Sequence, residues 1–383
     1  MIWIAAAILT IFFGIQVFSL LSILQHTDKK LEKRKDFPMV SILLAARNEE
    51  QLILRNLTAI NALNYPKDKL EILIGNDEST DNTAQLVTDF IKGKPYFKLF
   101  HIDKTVGKSR GKANVLGQLA HKASGEFYFI TDVDVKLPEN WILALLQEFT
   151  EGVGLVSGTT KCERGSLFAT LQSIDWLHFM GYIKAFANAG VGCTSVGNNM
   201  AVRAEAYWQT GGYEEIDFSI TEDYKLFKEV TARGWQWRTI IGEDSLGLAW
   251  YISSIKDMLH QRKRWLIGAR ELPLNWKGMI ILYGLFIPVV LAVFWFNPRL
   301  AFAIWISKFL VQSVFIIFLC LATERRPFSF LYLLVYEFYV ILNTAATAIF
   351  YWLPIQSVWK GREYNLSSFS TISPKVEITQ DDK

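Results

Sequence analysis

The sequence predicts an α/β domain carried by membrane helices, one before it and about three after it. Three observations predict this. Apolar runs of strand length alternate with helix-spaced stretches between Pro38 and Trp250. Polar and acidic residues gather just after several of those strands. Four long hydrocarbon segments flank the alternating region. The 383 residues are half apolar yet one fifth charged, which excludes a wholly membrane-buried protein. The formal net charge of +3 gives a nucleic-acid partner nothing to gain from it. Cys162, Cys193 and Cys320 are odd in number and lack metal-ligand or CxxC spacing, so they read as free thiols in a reducing compartment.

Taken in order, Ile2 to Leu24 is almost uninterrupted hydrocarbon, matching the roughly 20 residues a span needs. A cleaved signal peptide fits poorly, because no basic stretch precedes the run and no small-residue cleavage site follows it. Strands are expected at Met39–Ala46, Leu70–Gly75, Phe97–Ile102 and Phe127–Thr131, with helices at Glu49–Leu63, Thr83–Ile91 and Lys112–Ala123. This alternation implies parallel strands with crossover helices on both faces, and a ligand site at their carboxyl ends. Further spans are expected at Gly278–Phe296, Leu300–Ala322 and Phe328–Leu353. Lys29, Lys30, Lys33, Arg34 and Lys35 after the first span make that side cytoplasmic. Four crossings would leave the tail outside, yet Lys360 and Arg362 follow the last segment. Either that segment is re-entrant or two charges are too few to decide, and the tail stays unassigned. The expected organisation is an anchor at 1–25, a catalytic domain at 38–265, an interfacial segment at 266–276, membrane helices at 277–354 and a polar tail at 355–383.

The strand ends carry the chemistry. Arg47-Asn48-Glu49-Glu50 follows the first strand, Asn76-Asp77-Glu78-Ser79-Thr80-Asp81 the second and Asp132-Val133-Asp134 the fourth. So many acids have the wrong sign for a phosphate ligand unless a divalent metal mediates. An Asp-x-Asp at a strand end suits Mg²⁺, which takes one or two carboxylates plus substrate phosphate oxygens. The plain alternative is a solvated turn. At Thr221-Glu222-Asp223, the plain reading is a helix start capped by Thr221, with acids favoured by the helix dipole. Gln261-Arg262-Lys263-Arg264-Trp265 would by itself pass for a juxtamembrane basic-aromatic anchor.

In this order the segments resemble the family-2 glycosyltransferases, with the match running from about Met39 to Trp265. The resemblance implies a GT-A (Rossmann-like) domain with a mixed central sheet, in the cytosol, and inverting transfer from a nucleotide-diphosphate sugar, with UDP expected. Ala45, Arg47 and Glu49 resemble the opening nucleotide-binding loop. Asn76–Asp81 resembles the family's Asp-Asp-Gly-Ser-Thr-Asp segment, departing from it at Asn76 and Glu78 and keeping Asp77 for uracil or ribose. Lys112 resembles the lysine segment before the metal motif, where Lys108 and Arg110 stand alongside it to offset diphosphate charge. Asp132 and Asp134 would hold Mg²⁺ or Mn²⁺, with Asp132 also facing the donor. Gly197–Arg203 and Gly211-Gly212-Tyr213 resemble the acceptor frame. Asp223, beside Glu222, would be the general base, and Gln261, Arg264 and Trp265 match Gln-x-x-Arg-Trp, with Arg264 on the leaving diphosphate and Trp265 at the acceptor sugar.

A membrane setting implies a lipid-linked acceptor or a growing glycan, in an integral protein of the cell or inner membrane. A polymer crossing hydrocarbon needs a polar path enclosed by protein. Four helices leave little room for one, so a processive synthase would need a partner subunit or a homo-oligomer. The aromatic stretch Leu167–Ala187 reads as a core helix or as one lying at the interface with membrane lipids. A non-catalytic glycan- or lipid-binding scaffold, or a nucleotidyltransferase, would leave the retained acids and Gln-x-x-Arg-Trp unexplained.

Overall fold

The computed structural model describes residues 2–25, 36–359 and 362–364. In chain order the elements are α1 (Ile2–Leu24), β1 (Val40–Ala46), α2 (Ile53–Asn61), β2 (Leu70–Asn76), α3 (Thr83–Ile91), β3 (Phe97–His101), α4 (Gly111–Ala120), β4 (Phe127–Asp132) and β5 (Val135–Lys136). Next come α5 (Trp141–Leu146), β6 (Val153–Ser157), β7 (Thr159–Cys162), α6 (Leu167–Asn188), β8 (Asn199–Arg203), α7 (Ala204–Gln209), α8 (Gly212–Glu215), α9 (Glu222–Ala232), β9 (Gln236–Thr239) and β10 (Leu246–Ala249). The last described elements are α10 (Ile255–Gly268), α11 (Leu274–Phe296), α12 (Pro298–Thr323), α13 (Phe330–Trp352) and a short hairpin, β11 (Ser357–Trp359) with β12 (Arg362–Tyr364).

Seven strands form the central sheet in the order β3-β2-β1-β4-β8-β6-β9. It is mixed, because β8 runs antiparallel to both β4 and β6 while the other pairs are parallel. Successive side chains of a strand point to opposite faces, and both faces are covered. Ile42 and Leu44 join the core under α2 and α5, while Leu43 joins the core under α4 and α9. That double burial is why β1 and β2 read as continuous apolar runs. A second sheet, β5-β10-β7, sits beyond the end of β4.

Register delivers the site. Ala45 of β1 pairs with Asp132 of β4, and Ala46 pairs with Asn76 of β2. The expected loops therefore leave one carboxyl edge side by side, at strand spacings of about 4.8 Å. Helices α1, α11, α12 and α13 are each long and apolar enough to cross a membrane. Leu274 to Trp276 form the first turn of α11 rather than a separate interfacial piece. The Lys29–Lys35 charges that set the expected orientation lie outside the described residues, as does Lys360.

Candidate active site

The first two strand-end loops are laced together. Arg47 donates to the Asp77 carbonyl at 2.7 Å and lies 3.6 Å from Glu78. The Asn48 side chain accepts from the Thr80 amide at 2.8 Å, and the Glu49 amide donates to the Thr83 hydroxyl at 2.7 Å. Ala45 is the strand residue beside Asp132, and Asp77 is buried at the foot of this loop pair. Asn48 and Glu78 both adopt positive φ, 51° and 50°. This is the left-handed region that costs most residues about 1–2 kcal/mol. Glu78 stands where the resembling segment has glycine, so its backbone still makes the glycine turn.

Around Asp132 the structure gathers residues from three remote parts of the chain. Lys112, at the start of α4, sits 2.6 Å from Asp132 and 2.8 Å from Glu222, and donates to the Gly197 carbonyl at 3.1 Å. Asp223 accepts the Gly197 amide on one oxygen and the Tyr224 amide on the other, both at 2.8 Å. Thus Asp132, Lys112, Glu222 and Asp223 form one cluster of three carboxylates around one ammonium. Burial opposes the Lys112 charge, but Asp132 and Glu222 overcome it and hold its pKa well above the ordinary lysine value. Burial pushes the Asp223 carboxyl up to about 6, and the neighbouring Glu222 adds to this, against Lys112 and the two amides. A carboxyl titrating there can take a proton near neutrality.

Thr221 does not cap α9: its hydroxyl meets Ser219 at 3.1 Å instead of a helix amide. The segment is held from outside. Gly268, ending α10, leaves no room for a side chain, since a Cβ there would come within 2.3 Å of the Thr221 methyl. Just beyond it Glu271 meets Lys225 at 2.6 Å and accepts from Ser219 at 3.0 Å, while the Tyr224 hydroxyl donates to the Glu271 carbonyl at 2.8 Å. The end of α10 is therefore fastened to the Glu222–Asp223 turn. Arg264 precedes Gly268 by four residues, on the same face of the helix. Arg264 and Gln261, further up the helix, are both half-buried.

Trp265 is gripped from α6. Its ring meets Trp176 edge-on at 5.2 Å, and the Arg262 guanidinium lies 4.5 Å from the ring centre. Arg262 in turn pairs with Asp175, which also accepts from Tyr336 of α13 at 3.3 Å. Sequence reasoning missed this chain of contacts, because Asp175 sits in a helix that reads as apolar. It also missed the clamp on the Asp-x-Asp turn. The Asn56 amide donates to the carbonyls of Asp132 and Val135 at 3.1 and 2.8 Å, and Arg55 donates to that of Asp134 at 3.0 Å. Two polar residues in the helix after β1, one of them fully buried, were the available signal.

Asp132 and Asp134 have different neighbours. Burial pushes the Cys162 thiol up to about 12 against the pull of Arg262, with Asp134 and Asp175 adding to the rise. Asp132 faces Lys112 of α4, whereas the Asp134 carbonyl accepts from Arg55 of α2 at 3.0 Å and from the Trp250 amide at 2.8 Å. Among the described residues no group of three or more His, Cys, Asp or Glu is arranged to hold a metal. Two strand-end carboxylates, with Asp132 37% exposed, still suit a hard cation whose shell is completed by phosphate oxygens. A cavity of about 950 Å³ opens elsewhere, between the end of α1, the end of α6 and the Thr239–Ser245 segment. It contains none of these residues.

The model of glycosyl transferase family 21 matches residues 2–372 of the chain. A poly-β-1,6-N-acetyl-D-glucosamine synthase of Staphylococcus epidermidis is 25% identical over 278 residues, covering 71% of this chain and 63% of that protein. The probable glycosyltransferase YdaM of Bacillus subtilis is 30% identical over 226 residues, covering 56% of this chain and 51% of the relative. The chain thus spans about half to two thirds of the length of the curated relatives it matches. Among solved structures, the mannosyltransferase PcManGT from Pyrobaculum calidifontis, in complex with GDP-Man and Mn²⁺, covers 91% of this chain and 97% of its own. The two share a TM-score of 0.55 and 19% identity, a likeness of GT-A fold.

Proposed function

Because the chain belongs to glycosyl transferase family 21, we propose that it moves a sugar from a nucleotide-diphosphate sugar to a lipid-linked or growing glycan acceptor at a membrane surface. The observation that carries this reading is the single cluster of Asp132, Lys112, Glu222 and Asp223 at the carboxyl edge of the sheet, with the Arg264 helix fastened against it. A UDP-sugar is the expected donor, its nucleoside lying along Ala45, Arg47, Glu49 and Asp77. The family-2 resemblance and the family-21 match agree on a glycosyltransferase, and the structural likeness is one of GT-A fold.

Asp223 acts as the general base. It removes the proton of the acceptor hydroxyl as that oxygen attacks the anomeric carbon, on the face opposite the departing diphosphate, so the configuration inverts. The two amides on its carboxylate fix its aim, and burial keeps its basicity high. Arg264 is directed at the negative charge that grows on the leaving diphosphate. Lys112 holds Asp132 and Glu222 in place before the donor arrives. Asp132 and Asp134 would hold Mg²⁺ or Mn²⁺, which supplies charge neutralisation of the diphosphate; the PcManGT complex contains Mn²⁺. Trp265 offers a flat apolar ring to the acceptor sugar.

A processive synthase is the second reading, favoured by the poly-β-1,6-N-acetyl-D-glucosamine synthases among the relatives. Incubating membranes that contain the full chain with labelled UDP-N-acetylglucosamine, UDP-glucose and GDP-mannose tests both. Label entering a lipid-extractable product of one added sugar supports single transfer, and a ladder of long chains supports the synthase. No label transferred from any nucleotide sugar removes the catalytic reading.

A further inference from the structure

Helix α13 meets the length and composition requirements of a membrane span, but its two ends are held on the same side. Before it, Lys161 at the end of β7 lies 2.6 Å from Glu324, and Arg164 pairs with Glu324, donates to the Arg326 carbonyl and stacks 3.9 Å from the Phe328 ring centre. After it, Lys263 of α10 donates to the carbonyls of Phe350, Leu353 and Ile355 at 3.3, 2.7 and 2.9 Å. Arg270 donates to the Tyr351 hydroxyl at 2.7 Å. Both fastenings belong to the α/β layer. A 23-residue helix is about 34 Å long, close to the roughly 30 Å of bilayer hydrocarbon. A crossing helix would carry one end to the far aqueous side, beyond the reach of either β7 or α10.

The contacts along α13 agree. It meets α12 in one band: Phe330 against Phe309, Glu337 against Lys308 and Gln312, and Phe338 against Trp305. From 330 to 338 the helix advances about 12 Å while its partners shift by about 6 Å, from 309 to 305. Antiparallel neighbours would advance equally, so α13 crosses α12 obliquely. It then follows α6 and α10, through Tyr336 to His178 and Asp175, Tyr339 to Met258 and Phe350 to His260. Leu333, Tyr336, Glu337 and Val340 fill the protein-facing side. Leu331, Phe338, Leu342 and Ile349 lie on the opposite side, 67%, 53%, 69% and 66% exposed.

We infer that α13 is an interfacial helix that lies along the membrane-facing side of α6 and α10, with its Leu331–Ile349 stripe in the acyl region of the leaflet nearest the α/β layer. The residues that follow α13, as far as Ile355, therefore lie on the same side as that layer, and the occupant of the stripe is lipid. An apolar outer stripe, opposed by an inner side on which Tyr336 and Glu337 are hydrogen-bonded to α6 and α12, suits a helix in the interface plane. The arrangement also removes the charge anomaly, since Arg362 falls on the side the positive loops choose.

The test uses the full chain in membranes, where the native cysteines are buried. Lys92→Cys, at an exposed turn of the α/β layer, and a separate variant with a cysteine added after Lys383 are labelled with a membrane-impermeant maleimide. Right-side-out and inverted vesicles are compared. Labelling of both from the same side is expected, whereas labelling from opposite sides overturns the inference. Spin labels at Leu331, Leu342 and Ile349 give an independent reading, since 331 and 349 are about 27 Å apart along the helix. Equal depths are expected, and a gradient from one headgroup region to the other overturns the inference. Neither measurement depends on the transferase reading.

Discussion

At the residue scale the decisive pair is Asp223 and Lys112. The base role proposed for Asp223 requires its ionised form, and its carboxyl is pushed up to about 6. Activity should therefore rise with pH through about 6 and fall about tenfold per unit below it, as a profile of kcat/KM from pH 4.5 to 8 will read. Lys112→Met would leave three carboxylates facing one another without their cation. Breaking such a pair costs about 3–5 kcal/mol, so a fall in thermal midpoint together with loss of donor binding is expected. Glu78 carries a different consequence. Its φ of 50° strains a side chain, so Glu78→Gly should stabilise the chain by about 1 kcal/mol, seen as a higher midpoint on denaturation. A lower midpoint would mean that the contact with Arg47 outweighs the backbone strain.

At the scale of elements, α10 is the part that joins the two halves of the proposed chemistry. Its end packs on Thr221 through Gly268 and is tied to α9 through Glu271. Gly268→Val should push the helix away and lower kcat about 10²-fold with little change in donor affinity, since small displacements of a positioned group cost about that much. Asp175→Asn should loosen Arg262 and with it the Trp265 ring, so that more of the transferred sugar goes to water and less to the acceptor. A ratio of transfer to donor hydrolysis equal to that of the unaltered enzyme would show that Trp265 needs no such support. The strands and helices around β1, β2 and β4 were legible in the sequence because each run is buried on both faces or ends in a polar turn. The ties of α10 were not, because Gly268, Glu271 and Asp175 are ordinary residues whose meaning comes from what packs on them. Arg55 and Asn56 were hidden for the same reason: a helix was expected there, but not its grip on the turn after β4.

In the molecule as a whole, a mixed sheet, whose register brings Ala46, Asn76 and Asp132 to one edge, is joined to a set of apolar helices. Composition announced the four apolar segments, yet it treats α13 like the others. Only the partners of its two ends set it apart, and those are tertiary. Removing divalent cations with a chelator should abolish transfer, and Mn²⁺ or Mg²⁺ should restore it; Asp134→Ala should raise the cation concentration needed. The proposed chemistry has one carboxylate, Asp223, take the acceptor proton at a site that binds the donor through other groups. It is tested most directly by comparing Asp223→Asn with the unaltered full-length enzyme for nucleotide-sugar binding and for transfer under the same conditions. The asparagine oxygen can still accept the Gly197 amide, but its NH2 then faces the Tyr224 amide without a bond, so the thermal midpoint is read on the same variant. Transfer should fall at least about 10²-fold while donor affinity changes less than about threefold. Turnover at the unaltered rate would contradict it.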